Sequence, residues 1–104
     1  MVKFIDSKEA AFLIKNNQVV AVSGFAGLSV PEELIKSLEE RYENSKTPKN
    51  LTLMFAAAQG DGNTKGLNHL AHNGLVKKVL GGHFNLAPKL AKMMNQNIVE
   101  GFNF

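Results

Sequence analysis

Gly24-Phe25-Ala26-Gly27 stands between an apolar run, Val19-Val20-Ala21-Val22-Ser23, and a segment opened by Ser29, Pro31 and Glu32. A strand that turns on glycines straight into a helix N-terminus aims backbone N–H groups at one point. There they can hold an anion or a polarised oxygen. The alternative is that these glycines simply make a tight turn. Two more glycine-bearing loops follow, Gln59-Gly60-Asp61-Gly62-Asn63 and Gly81-Gly82-His83. Of the three histidines, His83 has a functional address, after two glycines at a strand end. A histidine that only orients its own loop is an equal reading.

Several chemistries are excluded or disfavoured. Gly24–Gly27 lacks the third glycine, and the acidic residue about 20 positions later, that a dinucleotide site needs. No glycine-lysine-serine or glycine-lysine-threonine triplet supplies a phosphate loop. Asp61-Gly62-Asn63 resembles part of a calcium loop but lacks the glutamate spacing, so turn chemistry explains it better. His69 and His72, three apart, share a face of a presumed helix without a further ligand, and read as surface or packing residues. Glu32, Glu33, Glu39 and Glu40 read as solvation of a surface helix whose N-terminal dipole favours acids. None reads as a nucleophile. Cysteine is absent, which removes disulfides, thiolate metal sites and cysteine nucleophiles. No metal and no tightly bound cofactor are expected.

The elements that position these loops follow from periodicity and caps. Helices are expected near 7–16, 31–43, 65–73 and 87–96, and strands near 19–23, 51–55, 75–80 and 97–102. Asp6-Ser7-Lys8-Glu9 and Ser29 with Glu32 carry capping signatures, Asn85 is a candidate cap, and Pro31 and Pro88 suit first turns. Lys77-Lys78 would put the middle of the third strand at a sheet end or edge. Helix–strand alternation implies a single α/β domain with an open, mostly parallel sheet and helices on both faces. Ligands then sit beyond the carboxyl ends of the strands, the rim on which all three glycine loops fall. The chain has 104 residues, 44% of them apolar and 20% charged, as in ordinary globular proteins. Its net charge of +3 is spread over scattered lysines and arginines, without the clustered cations of a nucleic-acid surface. No segment reaches the roughly 18 apolar residues of a spanning helix, and there is no signal-peptide pattern, so no membrane role and a cytoplasmic location are expected.

The last residues, Glu100-Gly101-Phe102-Asn103-Phe104, read as a strand with two aromatics and no polar tail. The chain is therefore read as a truncated domain, the front part of something larger.

The residues Gly24-Phe25-Ala26-Gly27-Leu28-Ser29-Val30-Pro31-Glu32-Glu33-Leu34 resemble a motif of family I CoA-transferases, closest to the single-chain acetate/propionate type. Ala57-Ala58-Gln59-Gly60-Asp61-Gly62, Gly66 to Leu75 and Gly81-Gly82-His83-Phe84-Asn85-Leu86-Ala87-Pro88-Lys89-Leu90 extend the likeness. The resemblance implies the amino-terminal part of an enzyme of short-chain fatty acid and ketone body metabolism. Such enzymes move CoA from a short-chain acyl-CoA to a carboxylate by a ping-pong route through a glutamyl-CoA thioester. It implies CoA as a substrate and a catalytic glutamate in a carboxyl-terminal half or companion subunit. Separately, the apolar strand segments 51–55, 79–80 and 98–102 need neighbours on both faces, so packing with copies of the chain, as a homo-oligomer, or with the missing half is expected. No position here matches that glutamate, so no catalytic residue is carried over and the isolated chain is expected to be inactive. Gly24, Phe25, Ala26 and Gly27 would lie against the acyl/CoA cleft, with Gly81, Gly82 and His83 as a second loop. Other readings of the chain are a non-enzymatic anion- or nucleotide-binding module and an interaction module docking through its sheet edge.

Overall fold

Four strands, β1 (Val19–Ala21), β2 (Leu51–Phe55), β3 (Val76–Gly81) and β4 (Glu100–Asn103), lie side by side in chain order, all parallel. The helices are α1 (Ser7–Phe12), α2 (Glu32–Ser45) and α3 (Pro88–Asn95), with a short 3-10 helix, Gly66–Leu70, between β2 and β3. The computed structural model describes residues 2–24, 30–56, 65–82 and 87–103. The α/β fold with a parallel sheet is the one expected.

Strand order explains the layering. When each parallel strand sits beside its predecessor, right-handed crossovers all travel one way and place their helices on one face. The helical elements accordingly pack in a row, α1 on α2, α2 on the 3-10 helix, and that helix on α3. Within the described residues, the expected helix cover is met on this face. Val20, Leu53, Val79 and Gly101 are in register, and Leu53 and Val79 are fully buried against the helices. The next row, Ala21, Met54, Leu80 and Phe102, points the other way, because side chains alternate along a strand. There Met54 stays 41% exposed and Phe102 46%.

Local chemistry accounts for the element ends. The Asp6 carboxylate accepts the Glu9 N–H at 2.8 Å and caps α1, as its spacing predicts. At the other end of α1, Arg41 Nη1 donates to Ala11 O at 2.7 Å and Ile14 O at 2.6 Å. It thereby adds a charged donor to carbonyls at and just beyond the helix C-terminus, where backbone pairing is incomplete. Pro88 occupies the first turn of α3.

Four expectations change. The N-cap position of α2 is Pro31, with no side-chain cap, and Ser29 and Asn85 lie outside the described residues. The helix expected near 65–73 is a five-residue 3-10 helix. The third strand is interior, between β2 and β4. Its lysines are tolerated because the register jumps: Leu51 pairs with Val76 but Thr52 with Lys78. That irregularity leaves Lys77 as an extra residue, exposed, and Lys78 on the open face with its ammonium 5.8 Å from the Phe102 ring centre. The first strand is shorter than 19–23 and lies at the sheet edge, where Val19 is 61% exposed.

Candidate functional site

The carboxyl ends of β1 and β2 open into a cavity of about 350 Å³ lined by Ala21, Val22, Ser23, Gly24, Met54, Phe55 and Ala56. Ala21 and Met54 belong to the open face of the sheet, so the concavity opens opposite the helices. Gly24 enters the rim at φ +133°, a backbone conformation that a side chain would strain. Across β2, Gly82 donates its N–H to Phe55 O at 3.2 Å, and a Cβ built on it would stand 1.8 Å from Ala56 O. Only a residue without a side chain lets the β3 end approach so closely. Ala56 thus lines the same cavity as Gly24 and is closely approached by Gly82.

Of the residues singled out from the sequence, Gly24, Gly81 and Gly82 therefore sit at one rim, Gly81 as the last residue of β3. Phe25, Ala26, Gly27 and His83 lie outside the described residues, as does the 57–64 loop. A second concavity, about 220 Å³, lies between α1 and α2 beside Phe12 and Arg41, away from the strand ends.

Between α2 and the 3-10 helix is a carboxylate–imidazole network whose members the sequence alone presents as solvating and packing residues. His69 Nε2 lies 2.5 Å from Glu32 Oε2, and His69 Nδ1 lies 2.8 Å from Glu39 Oε1. Glu39 Oε2 is 2.6 Å from His72 Nε2. Glu32 Oε1 also accepts the Gly66 N–H at 2.8 Å. Burial works against the charge on Glu32, but the Gly66 N–H and His69 outweigh it and hold its pKa below the ordinary carboxylate value. Burial likewise opposes the His69 cation, yet the hydrogen bonds and charges of Glu32 and Glu39 prevail and raise its pKa above the ordinary imidazole value. The signal was present in the spacing. Glu32 and Glu39 are two helical turns apart on one face of α2, as His69 and His72 share a face of their own segment. Among the described residues no group of histidines and carboxylates could hold a metal ion.

Comparison with known proteins gives this rim a setting. The chain is 30% identical over 104 residues to acetate CoA-transferase YdiF of Escherichia coli K12, covering 99% of the chain and 20% of that protein. It is 36% identical over 87 residues to caffeate CoA-transferase of Acetobacterium woodii, covering 84% of the chain and 17% of that protein. It superimposes on the E. coli O157:H7 acyl-CoA transferase YdiF, crystallised as a thioester complex with CoA, with a TM-score of 0.94 at 30% identity. That alignment covers 96% of this chain and 21% of that one. The apoenzyme of the same transferase gives the same TM-score. The chain thus spans about a fifth of the length of the curated relatives it matches. With the coenzyme A transferase family model matching residues 5–101, the chain belongs to the coenzyme A transferase family.

Proposed function

We propose that these residues form the front of the amino-terminal half of an enzyme that moves CoA from a short-chain acyl-CoA to a carboxylate. The observation that carries this reading is the superposition, at a TM-score of 0.94, on a transferase captured as a CoA thioester. In this reading Gly24, Phe25, Ala26 and Gly27 border the acyl group and CoA, and backbone N–H groups of the turn polarise the acyl carbonyl oxygen. Gly81, Gly82 and His83 form the neighbouring wall. The nucleophile is a glutamate outside these residues, and the reaction passes through a glutamyl-CoA thioester, splitting one hard displacement into two easier ones. CoA enters as substrate, with no tightly bound cofactor, in a cytoplasmic enzyme.

The partners are the acyl-CoA, the carboxylate, and a carboxyl-terminal half or companion subunit, in a homo-oligomer. The exposed row of Met54 and Phe102 supports a covering neighbour on the open face. Among the described residues no helix is long and apolar enough to cross a membrane.

The test is exchange of CoA between acetyl-CoA and a second short-chain carboxylate. The native protein is expected to turn over. Gly24→Val is expected to lower kcat roughly 10- to 100-fold, since it displaces the backbone that faces the reacting carbonyl. The 104 residues alone should give no turnover above a blank. Turnover by them alone, abolished by changing one of their own glutamates, would overturn the assignment of the nucleophile.

A further inference from the structure

We propose that Glu32, Glu39, His69 and His72 form a proton-controlled clamp between α2 and the 3-10 helix, tight while His69 is an imidazolium and loosened when that ring loses a proton. The clamp goes beyond the CoA reading and does not depend on it.

The geometry demands the second proton. His69 has a carboxylate oxygen on each ring nitrogen, at 2.5 Å and 2.8 Å. A neutral imidazole has one N–H and one lone pair, so it can donate to only one of them and sets its lone pair against the other. The cation donates to both. His72 makes one such contact, to Glu39 at 2.6 Å, which a neutral ring also supplies. Protonation of His69 therefore decides whether the network is complete.

Its place in the fold makes this a tie between two elements. Glu32 is the first residue of α2, at the end of the segment that leaves β1 through Gly24. Gly66, whose N–H it accepts, is the first residue of the 3-10 helix, at the end of the segment that leaves β2. One carboxylate thus joins the roots of both segments, and His69 holds that carboxylate from behind. When the His69–Glu32 contact opens, Glu32 keeps only the Gly66 arm of this pair.

The titratable and charged groups on the elements around His69 are these. From α2 they are Glu32 and Glu39, whose charges favour the cation. Lys65, just before the 3-10 helix, acts on Glu32. His72 adjoins Glu39, with the Tyr42 ring tilted against it at 6.0 Å and the Tyr42 hydroxyl donating to Asn73 O at 2.6 Å. On the far side of the 3-10 helix, α3 contributes Lys89, whose backbone N–H donates to Asn68 Oδ1, and the exposed Lys92.

The experiment is hydrogen–deuterium exchange of the native protein and His69→Gln across about pH 5.5 to 9, with the ring of His69 followed by NMR. Near pH 6, the Gly66 amide and the first turn of α2 should exchange roughly two- to fivefold faster in His69→Gln, the size of one partly exposed ionic contact. That ratio should fall toward one as pH rises through the titration of His69, which should lie above the ordinary value of 6.5. A ratio unchanged across the range, or a His69 titrating below that value, overturns the proposal. If His69→Gln does not fold, the wild type decides alone. Its protection at Gly66, corrected for intrinsic exchange, must drop across the His69 titration, and a flat profile overturns the clamp.

Discussion

Leu53 and Met54 are adjacent in β2, yet one is fully buried and the other 41% exposed. The same step separates Val79 from Leu80 in β3. One face of the sheet is closed by the chain's own helices, and the other keeps an apolar row, Ala21, Met54, Leu80 and Phe102, partly open. The apolar strands call for cover on both faces, but the handedness of the crossovers decides which face the chain covers itself. The closed face carries the core. The open face reaches the rim cavity, because Ala21 and Met54 line both. The buried core and the open surface are thus separated by the alternation of side chains along the strands.

The sharpest way to break that comparison is a matched pair of truncations. Leu53→Ala should cost about 2–5 kcal/mol, from lost transfer energy and a cavity the helices cannot fill. Met54→Ala should cost under about 1 kcal/mol, because half its surface is already in water. Urea midpoints measure both. Equal costs would mean that the open face is covered in solution as firmly as the closed one.

Gly82→Ala tests the junction between core and rim. Its Cβ would meet backbone, Ala56 O, rather than a movable side chain, so the strand ends must part. A loss of about 1–3 kcal/mol is expected in thermal or urea unfolding, with faster amide exchange at Gly82 as the local sign. A neutral outcome would show that the β2 and β3 ends are not so closely held.

Arg41→Ala probes the outer layer of the closed face. It removes the cation from the carbonyls of Ala11 and Ile14. The expected cost is about 1–2 kcal/mol, read chiefly as loss of exchange protection in α1 while β2 and β3 keep theirs.

The smallest effect is on pH dependence. Glu32 titrates below its ordinary 4.5 in the folded protein, so its contribution is present above that value and lost as pH falls through the folded pKa. His69 titrates above its ordinary 6.5, so its contribution is complete below that value and lost as pH rises through the folded pKa. Both contributions are complete together between these two ordinary values. Each is expected to be under about 1 kcal/mol after solvent screening. Urea midpoints of wild type and His69→Gln should therefore differ most in that window and converge at both ends.

Much of this molecule was legible in its residues. The Asp6 cap, Pro88 in a first turn, and the alternation that makes a parallel α/β sheet are local signals, each read within a turn or a strand. Gly24 belongs with them, since a glycine between an apolar strand and a helix start announces a backbone that a side chain would strain. Lys77-Lys78 misled because a charged pair in a strand suggests an edge. The register jump beside Leu51 instead set one lysine out of the ladder and sent the other to the open face.

Composition, caps and periodicity by themselves determined most of the elements, their parallel arrangement and the strand ends that Gly24, Gly81 and Gly82 occupy, because these depend on neighbours a few residues apart. The tertiary structure alone decided that Glu32 meets His69 across 37 residues, that Glu39 meets it across 30, and which sheet face stays open. Spacing puts Glu32 with Glu39 and His69 with His72 on one face each, but does not say that the two faces meet. Until the helices are packed, a glutamate on α2 and a histidine on the next segment read as two solvated side chains, and packing turns them into a shared proton.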